Sequence, residues 1–512
     1  MKSLLAFFGF LFFGSLQAQD IPNDRITDWT RAGLHESIEF ANSSNIDEFE
    51  SFVESNGNYS LAVAEAIKSL SAKGGGVLNF NSKEYFFTNT INIPSNIVLA
   101  GVSSSETVFR FSLGGNGACI SFKGKVNGKA LPLTKETELE SNEIFTSSNL
   151  EPNTYAFVRY KDKSVLESSW AYNHYGQIVY CSGQKTGAQL LKSSMRLAIS
   201  NLDIADVLPL KPVTNSGIEN FKILRTDKSS KKVSKVLFDY SANCFMSGIE
   251  SNKANYAHVD IRHSAHITVK GNYFHHAFSY GSGGVGYGVV THFAASDNLI
   301  EDNVFEHLRH SMLVQAGANG NVFSYNYSTD PYWEQGFFPS GSAGDIVLHG
   351  NHPFLNLFEG NIAQNLVIDG SHGVNGPHNT FFRNRLENLG ISAIAYPMTN
   401  SQNFAANEVT SNSFFGGLYV ILGVDHLSLH NIIRGEITPI GTIEPSQISL
   451  YKTNASESER IGTKDNYNSS TLNAKERFAR KEFTESITLY EFTQEKVKIK
   501  KGKRFWQRKK NK

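Results

Sequence analysis

Cysteine is scarce: 512 residues contain three, Cys119, Cys181 and Cys244, far apart and odd in number. That excludes a disulfide framework and a cysteine-based zinc motif, and leaves room for one bridge in an exported chain. Net charge is absent too, with 48 Lys and Arg against 48 Asp and Glu. The chain as a whole carries no cationic excess of the kind nucleic acid attracts, though the balance hides a basic run from Lys496 to Lys512. Only one apolar run is conspicuous, Leu4 to Phe13, and it is too short to span a bilayer. Helical periodicity is confined to one clear stretch, Tyr59 to Leu70, where Ser60 is placed to act as N-cap.

The short apolar run is preceded by Met1-Lys2-Ser3 and followed by Ser15-Leu16-Gln17-Ala18. This is the order of a secretory signal cleaved after Ala18. No cysteine follows to carry a lipid, so the mature protein is expected in the periplasm or outside the cell.

What the chain does have is 42 Gly, 37 Phe and 20 Tyr, and an asparagine that keeps returning inside short apolar runs. Asn272, Asn303, Asn326, Asn361, Asn384 and Asn412 are separated by 31, 23, 35, 23 and 28 residues. A unit of 23 with insertions is the mark of a repeat architecture. Each unit holds β-branched or aromatic runs bounded by Gly, Asn, Asp and Ser, such as Met312-Leu313-Val314 and Leu366-Val367-Ile368. Coils of short strands that hide their apolar faces only by stacking predict an all-β parallel β-helix solenoid. In that setting the asparagines are structural, a ladder at a turn that tolerates left-handed backbone.

The same register places a second column just after the opening strand of each coil: His263 beside Arg262, then His292, Gln315, His349 and Asp369. Stacked about 5 Å apart, these polar and mostly ionisable groups would line one face, where stability alone has no need of imidazole. Two long insertions, Ser279 to Gly288 and Asp330 to Pro339, precede the His292 and His349 strands and can overhang that face. The first is glycine-rich but lacks the strand-to-helix setting of a phosphate loop.

Ala62-Val63-Ala64-Glu65-Ala66-Ile67, Gly74-Gly75-Gly76-Val77-Leu78-Asn79-Phe80 and Ile97-Val98-Leu99-Ala100-Gly101-Val102 resemble the N-terminal cap and first coils of the pectate-lyase-like superfamily. The resemblance implies a right-handed parallel β-helix with a helical cap, acting on polysaccharides. It leaves the reaction open, because that superfamily holds lyases, hydrolases, epimerases and adhesins. The expected organisation is a signal over 1–18, cap and first coils over 19–121, an inserted β subdomain over 122–214, the main solenoid over 215–435, and a polar, basic tail over 436–512. Trp170, Tyr172, His174 and Tyr175 in the insertion read as half-buried strand aromatics, with sugar stacking as the alternative.

Elimination β to a uronic carboxylate needs that carboxylate neutralised, a base for the α-proton and an acid for the leaving oxygen. A column rich in His and poor in acid suits this. His292 and His349 are the expected base and acid, with Tyr287 a reserve base. Arg309 and Gln315 are placed to neutralise the carboxylate, with His263, His310, Asp369 and His372 as further substrate contacts. The calcium-binding aspartates of pectate lyases have no counterpart, and the Gly-His-Gly of polygalacturonases is echoed only by Ser371-His372-Gly373. No metal or other cofactor is expected, and the partner is an anionic poly- or oligosaccharide bound by a monomer. The rivals are an inverting hydrolase using Asp369 with Asp345 or Glu359, and a non-catalytic glycan-binding solenoid.

Overall fold

Three turn signals interrupt every coil, so the chain lays down three short strands per revolution. Leu299–Glu301, Val304–Glu306 and His310–Val314 form one coil; Val322–Ser324, Tyr327–Thr329 and Ile346–Leu348 form the next. Each strand pairs in parallel with its counterpart a coil away, as Val304 does with Tyr327 and Met312 with Ile346. The result is a right-handed parallel β-helix with three faces. The first is a 13-stranded sheet. The second and third merge into one sheet because Ile362–Ile368 and Arg385–Ala393 each run through both. This computed structural model describes residues 20–281, 283–336, 343–455 and 474–493; the N-terminal apolar run and the basic stretch from Lys496 lie outside the described residues.

Alternation along the third face sets the core. Val259, Ile261, Val289, Met312, Val314, Ile346 and Leu348 point inward and are fully buried, which leaves Asp260, Arg262, His292, Gln315, His349 and Asp369 on the outer surface. Within the core Phe323, Phe358, Phe381 and Phe404 stack coil on coil at centroid spacings of 5.0, 5.2 and 5.2 Å, each contact contributing about 1 kcal/mol. The N-terminal end is closed by α1 (Ser60–Ala72), which buries Ala62, Val63, Ala66, Ile67 and Leu70. Its first turn is satisfied not by Ser60 but by Asn58, whose Oδ1 accepts from Ser60 N and Ser60 Oγ at 3.0 and 2.7 Å.

The asparagine ladder runs through Asn272, Asn303, Asn326, Asn361, Asn384, Asn407 and Asn431. Each Nδ2 donates to the next Oδ1 at 2.9–3.0 Å, and each backbone N–H to the same oxygen. Asn412 is exposed and is not a rung. The rungs themselves are not left-handed. The residue before each one is: Gly271, Asp302, Tyr325, Gly360, Arg383, Ala406 and His430 have φ between 45 and 66°. A left-handed non-glycine costs roughly 1–2 kcal/mol, and two buried hydrogen bonds per rung offset it. A second ladder, Asn298, Asn321, Asn356, Asn379 and Gln402, repeats the device at another corner.

Between Ile120–Lys123 and Gly217–Glu219 the chain leaves the solenoid to build an antiparallel sheet with its own core around Ile144, Ala156, Val158 and Val207. The span expected to hold only cap and first coils begins with a strap, residues 20–45. They climb the outside of the solenoid, from Arg25 on Asn403 (2.8 Å), through Trp29 Nε1 on the Leu355 carbonyl (2.8 Å), to Ser43–Asn45 beside Gly76–Asn79. The three cysteines are buried and free, so the single bridge that composition allowed is not made.

Asn361→Ala strips an acceptor from the Asn326 N–H and a donor from the Phe323 carbonyl. It is expected to cost about 3 kcal/mol, whereas Asn412→Ala should stay within about 0.5 kcal/mol. Urea unfolding midpoints of the two variants check this.

Candidate active site

Because the outer column follows strand register, its members are set by the sheet rather than by loops. The pairing is Asp239, Arg262, His292, Gln315, His349 and Asp369 on successive coils. Arg262 therefore takes the position expected for His263. His263, one residue on, has left-handed backbone (φ 48°) and turns toward the inserted sheet. There it stands between Asp239 Oδ1 (3.1 Å) and His174 Nδ1 (2.9 Å) and stacks on Tyr240. It is a buried joint, outside the groove.

The groove is a cleft of about 470 Å³ lined by Arg262, His292, Gln315, His349, Asp369 and His372 with Tyr256, Asp260, Tyr287, Arg309, Lys232 and Trp170. Trp170 reaches it from the inserted sheet, 42% exposed, edge-on to His372 at 5.6 Å. Its neighbours divide: Tyr175 is buried, and His174 packs on His263 and Phe293. Tyr172 packs against the core of the insertion.

Two imidazole–carboxylate pairs sit on the floor. His349 Nδ1 is 2.6 Å from Asp369 Oδ2, which leaves Nε2 as the nitrogen for a ligand. Burial works to raise the Asp369 carboxyl, but His349 and the Ser371 hydrogen bonds outweigh it and hold the group well below the usual carboxylate range. His292 Nε2 is 2.7 Å from Asp260 Oδ1. Its Nδ1 is covered and has no partner among the described residues. With one nitrogen bonded and the other sealed, His292 is positioned to support the floor rather than to exchange a proton with a ligand, unlike the role expected for it. Burial opposes ionisation of Asp260, and its contact and hydrogen bond with His292 and the nearby Arg262 keep its carboxyl low.

Arg309 stands at the groove wall with its guanidinium 5.8 Å from the Tyr287 ring and 5.6 Å from that of Trp333, and Nη1 donates to the Gly281 carbonyl at 2.8 Å. Neither Arg309 nor Lys232 has an ion-pair partner among the described residues. Burial raises the Tyr287 hydroxyl, Arg309 working against it. His310 lies at the far end of its strand and shares with Arg309, Trp333 and Asp369 a side cavity of about 170 Å³. Its Nδ1 is 2.9 Å from the Gly344 carbonyl, and burial holds it neutral, well below the ordinary histidine value. His378 lines a different cavity beside Asp24 and Pro377.

The carboxylate pairs of the hydrolase rival are not assembled. Asp345 is fully buried, with Oδ1 accepting from Ser328 and Oδ2 from the backbone of Gln364 and Asn365. Glu359 points away on the first face and accepts from Leu450 N at 2.8 Å. The two carboxylates that do line the groove, Asp260 and Asp369, are four coils apart, roughly 19 Å at sheet spacing. Inverting hydrolysis places its acids about 6.5–9.5 Å apart.

Asp260 and Lys232 escaped the sequence reading, Arg262 entered it only as the neighbour of His263, and Trp170 only as one of four insertion aromatics with sugar stacking as the alternative. Asp260 could have been found: two residues before Arg262 on one strand, it shares the outer face. Lys232 and Trp170 arrive from separate segments and carry no periodic signal.

No family model matches the chain, and no curated protein matches it. Solved structures do. The chain is similar to the tailspike protein gp49 of Pseudomonas phage LKA1 (13% identity, TM-score 0.42, 73% of this chain and 75% of that one). It is similar to an exopolygalacturonase of Thermotoga maritima (12%, 0.40, 74% and 83%) and to the A-module of the Azotobacter vinelandii mannuronan C-5 epimerase AlgE4 (13%, 0.36, 73% and 79%).

Burial pushes the Glu359 carboxyl up from 4.5 to about 7. A carboxyl raised in the folded state contributes stability below its unfolded value that is lost as pH rises through the folded one. Glu359→Gln should therefore raise the unfolding temperature at pH 8 more than at pH 5, and leave any groove activity unchanged. Thermal unfolding at the two pH values reads this out.

Proposed function

We propose that the groove performs metal-independent β-elimination on uronate-containing glycans, as a polysaccharide lyase or an oligosaccharide dehydratase exported from the cell. The observation that carries this reading is the His349–Asp369 pair, open at Nε2, beside the uncompensated cations Arg309 and Lys232. A uronate carboxylate between Arg309, Lys232 and Gln315 loses its negative charge, which acidifies the neighbouring C–H. His349 Nε2 takes that proton, and Asp369 stabilises the imidazolium. The C–H electron pair becomes the new double bond as the β carbon–oxygen bond breaks. Tyr287, kept protonated by burial, delivers its proton to the departing oxygen, with Arg309 beside the phenolate that forms. A departing sugar makes the protein a lyase; a departing hydroxyl, lost as water, makes it a dehydratase. Trp170 offers an apolar face to a sugar ring at the groove's edge. The resemblance to the pectate-lyase-like superfamily supports glycan chemistry of this kind without its calcium aspartates.

The test is mass spectrometry of uronate oligosaccharides after incubation, read beside the ultraviolet absorbance of a conjugated double bond. Absorbance with chain cleavage supports the lyase, and absorbance with loss of one water supports the dehydratase. Cleavage with water added and no absorbance would sink elimination. His349→Ala and Tyr287→Phe are each expected to lower kcat by about 10²–10⁴-fold, and Arg309→Ala by about 10²–10³-fold with a rise in KM as well.

A further inference from the structure

On the second face, away from the groove floor, two adjacent histidines and a glutamate converge. His275, His276 and Glu306 each offer a ligand atom, all within 4.8 Å of one another. His275 and Glu306 are register partners on neighbouring coils, so strand pairing brings these two together. The ring nitrogens His275 Nδ1 and His276 Nδ1 face each other at 3.1 Å.

The groups behind these three are arranged as metal ligands are. His275 presents its other nitrogen, Nε2, to Glu250 Oε1 at 3.2 Å, and Glu250 is in turn fixed by Lys222 at 2.6 Å. A carboxylate behind an imidazole puts the proton on Nε2 and leaves Nδ1 as a lone pair. Glu306 accepts the Tyr273 hydroxyl on Oε2, which leaves Oε1 for a ligand. The Tyr273 ring also stacks on His275 at 4.2 Å and 8°. His276 is held in left-handed backbone, φ 60°, and its carbonyl accepts from His258 Nε2 at 3.0 Å.

We propose that His275, His276 and Glu306 bind a divalent first-row transition ion, with zinc as the fitting probe, and that this ion fastens the loop over the groove. Two imidazoles, one carboxylate and a water make a four-coordinate zinc site. The ligand atoms must close to roughly 3.4 Å for zinc–ligand bonds near 2.1 Å, within reach of side-chain rotation by Glu306 and His276. The fastening follows from what adjoins His276. Its ring lies 4.9 Å from that of His307, which stacks on Tyr332. Ala277 N donates to the Tyr280 hydroxyl at 2.8 Å, and Tyr280 N donates to Glu334 Oε1 at 3.0 Å. Tyr280 of the first insertion and Tyr332 and Glu334 of the second are thus clasped directly beside the site. The first insertion carries the Gly281 carbonyl that holds Arg309.

The experiment is zinc titration calorimetry on the full chain after chelator treatment and dialysis, with metal content by mass spectrometry and zinc-edge X-ray absorption on the loaded protein. One ion per chain is expected, with nitrogen and oxygen neighbours. His276→Gln and Glu306→Gln should each weaken binding at least tenfold, while His349→Ala, which removes an imidazole of the groove, leaves it unchanged. Metal-free His276→Gln should unfold at the temperature of the metal-free wild type, and only the wild type should gain stability with zinc. No stoichiometric zinc, binding undiminished in both variants, or binding lost with His349→Ala overturns the proposal.

Discussion

The coil turns are where this structure is most constrained. A corner sharp enough to fold three strands into about 23 residues forces one residue per turn into left-handed backbone and buries peptide groups that no sheet can reach. The asparagine side chain answers both, accepting a backbone N–H and an amide from the coil before and donating onward to the coil after. Once those rungs are in place the strand register follows, and with it every distance along the outer face. The site is in this sense a by-product of the corners.

That dependence explains the character of the groove. Its floor residues are spaced by the sheet, with backbones on alternate coils about 10 Å apart, and the pairs seen on the floor join neighbouring coils. His349 therefore meets Asp369 one coil on, and His292 meets Asp260 one coil back. The two pairs face away from each other across Gln315. Charge that is not absorbed in this way comes from Arg309 and Lys232, outside the periodic floor.

How much of this was legible in the sequence varies with its origin. The solenoid, the helical cap and most of the column could be read because period and alternation write them directly. The column is misread by a single residue at His263, since Arg262 continues the strand and His263 already belongs to the corner. Asn412 stands out because Phe414 follows it, whereas Asn407, 23 residues after Asn384, keeps the period and is the rung. Lys232 and the His275–His276–Glu306 cluster were out of reach for another reason. They are brought together by insertion or by the second face, where the eye had no chemical column to follow.

The N-terminal strap changes what kind of solid the protein is. A bare solenoid is a stack in which each coil knows only its neighbours, and it can lose coils from an end one at a time. Here Asp20 bonds Ser446 across 426 residues of chain, and Arg25, Trp29 and His35 make further stitches down the same flank. Peeling the last coil must also tear the strap from all the others. The stack behaves like a bound book rather than a pile of leaves, and cannot close its binding until the final pages have been written.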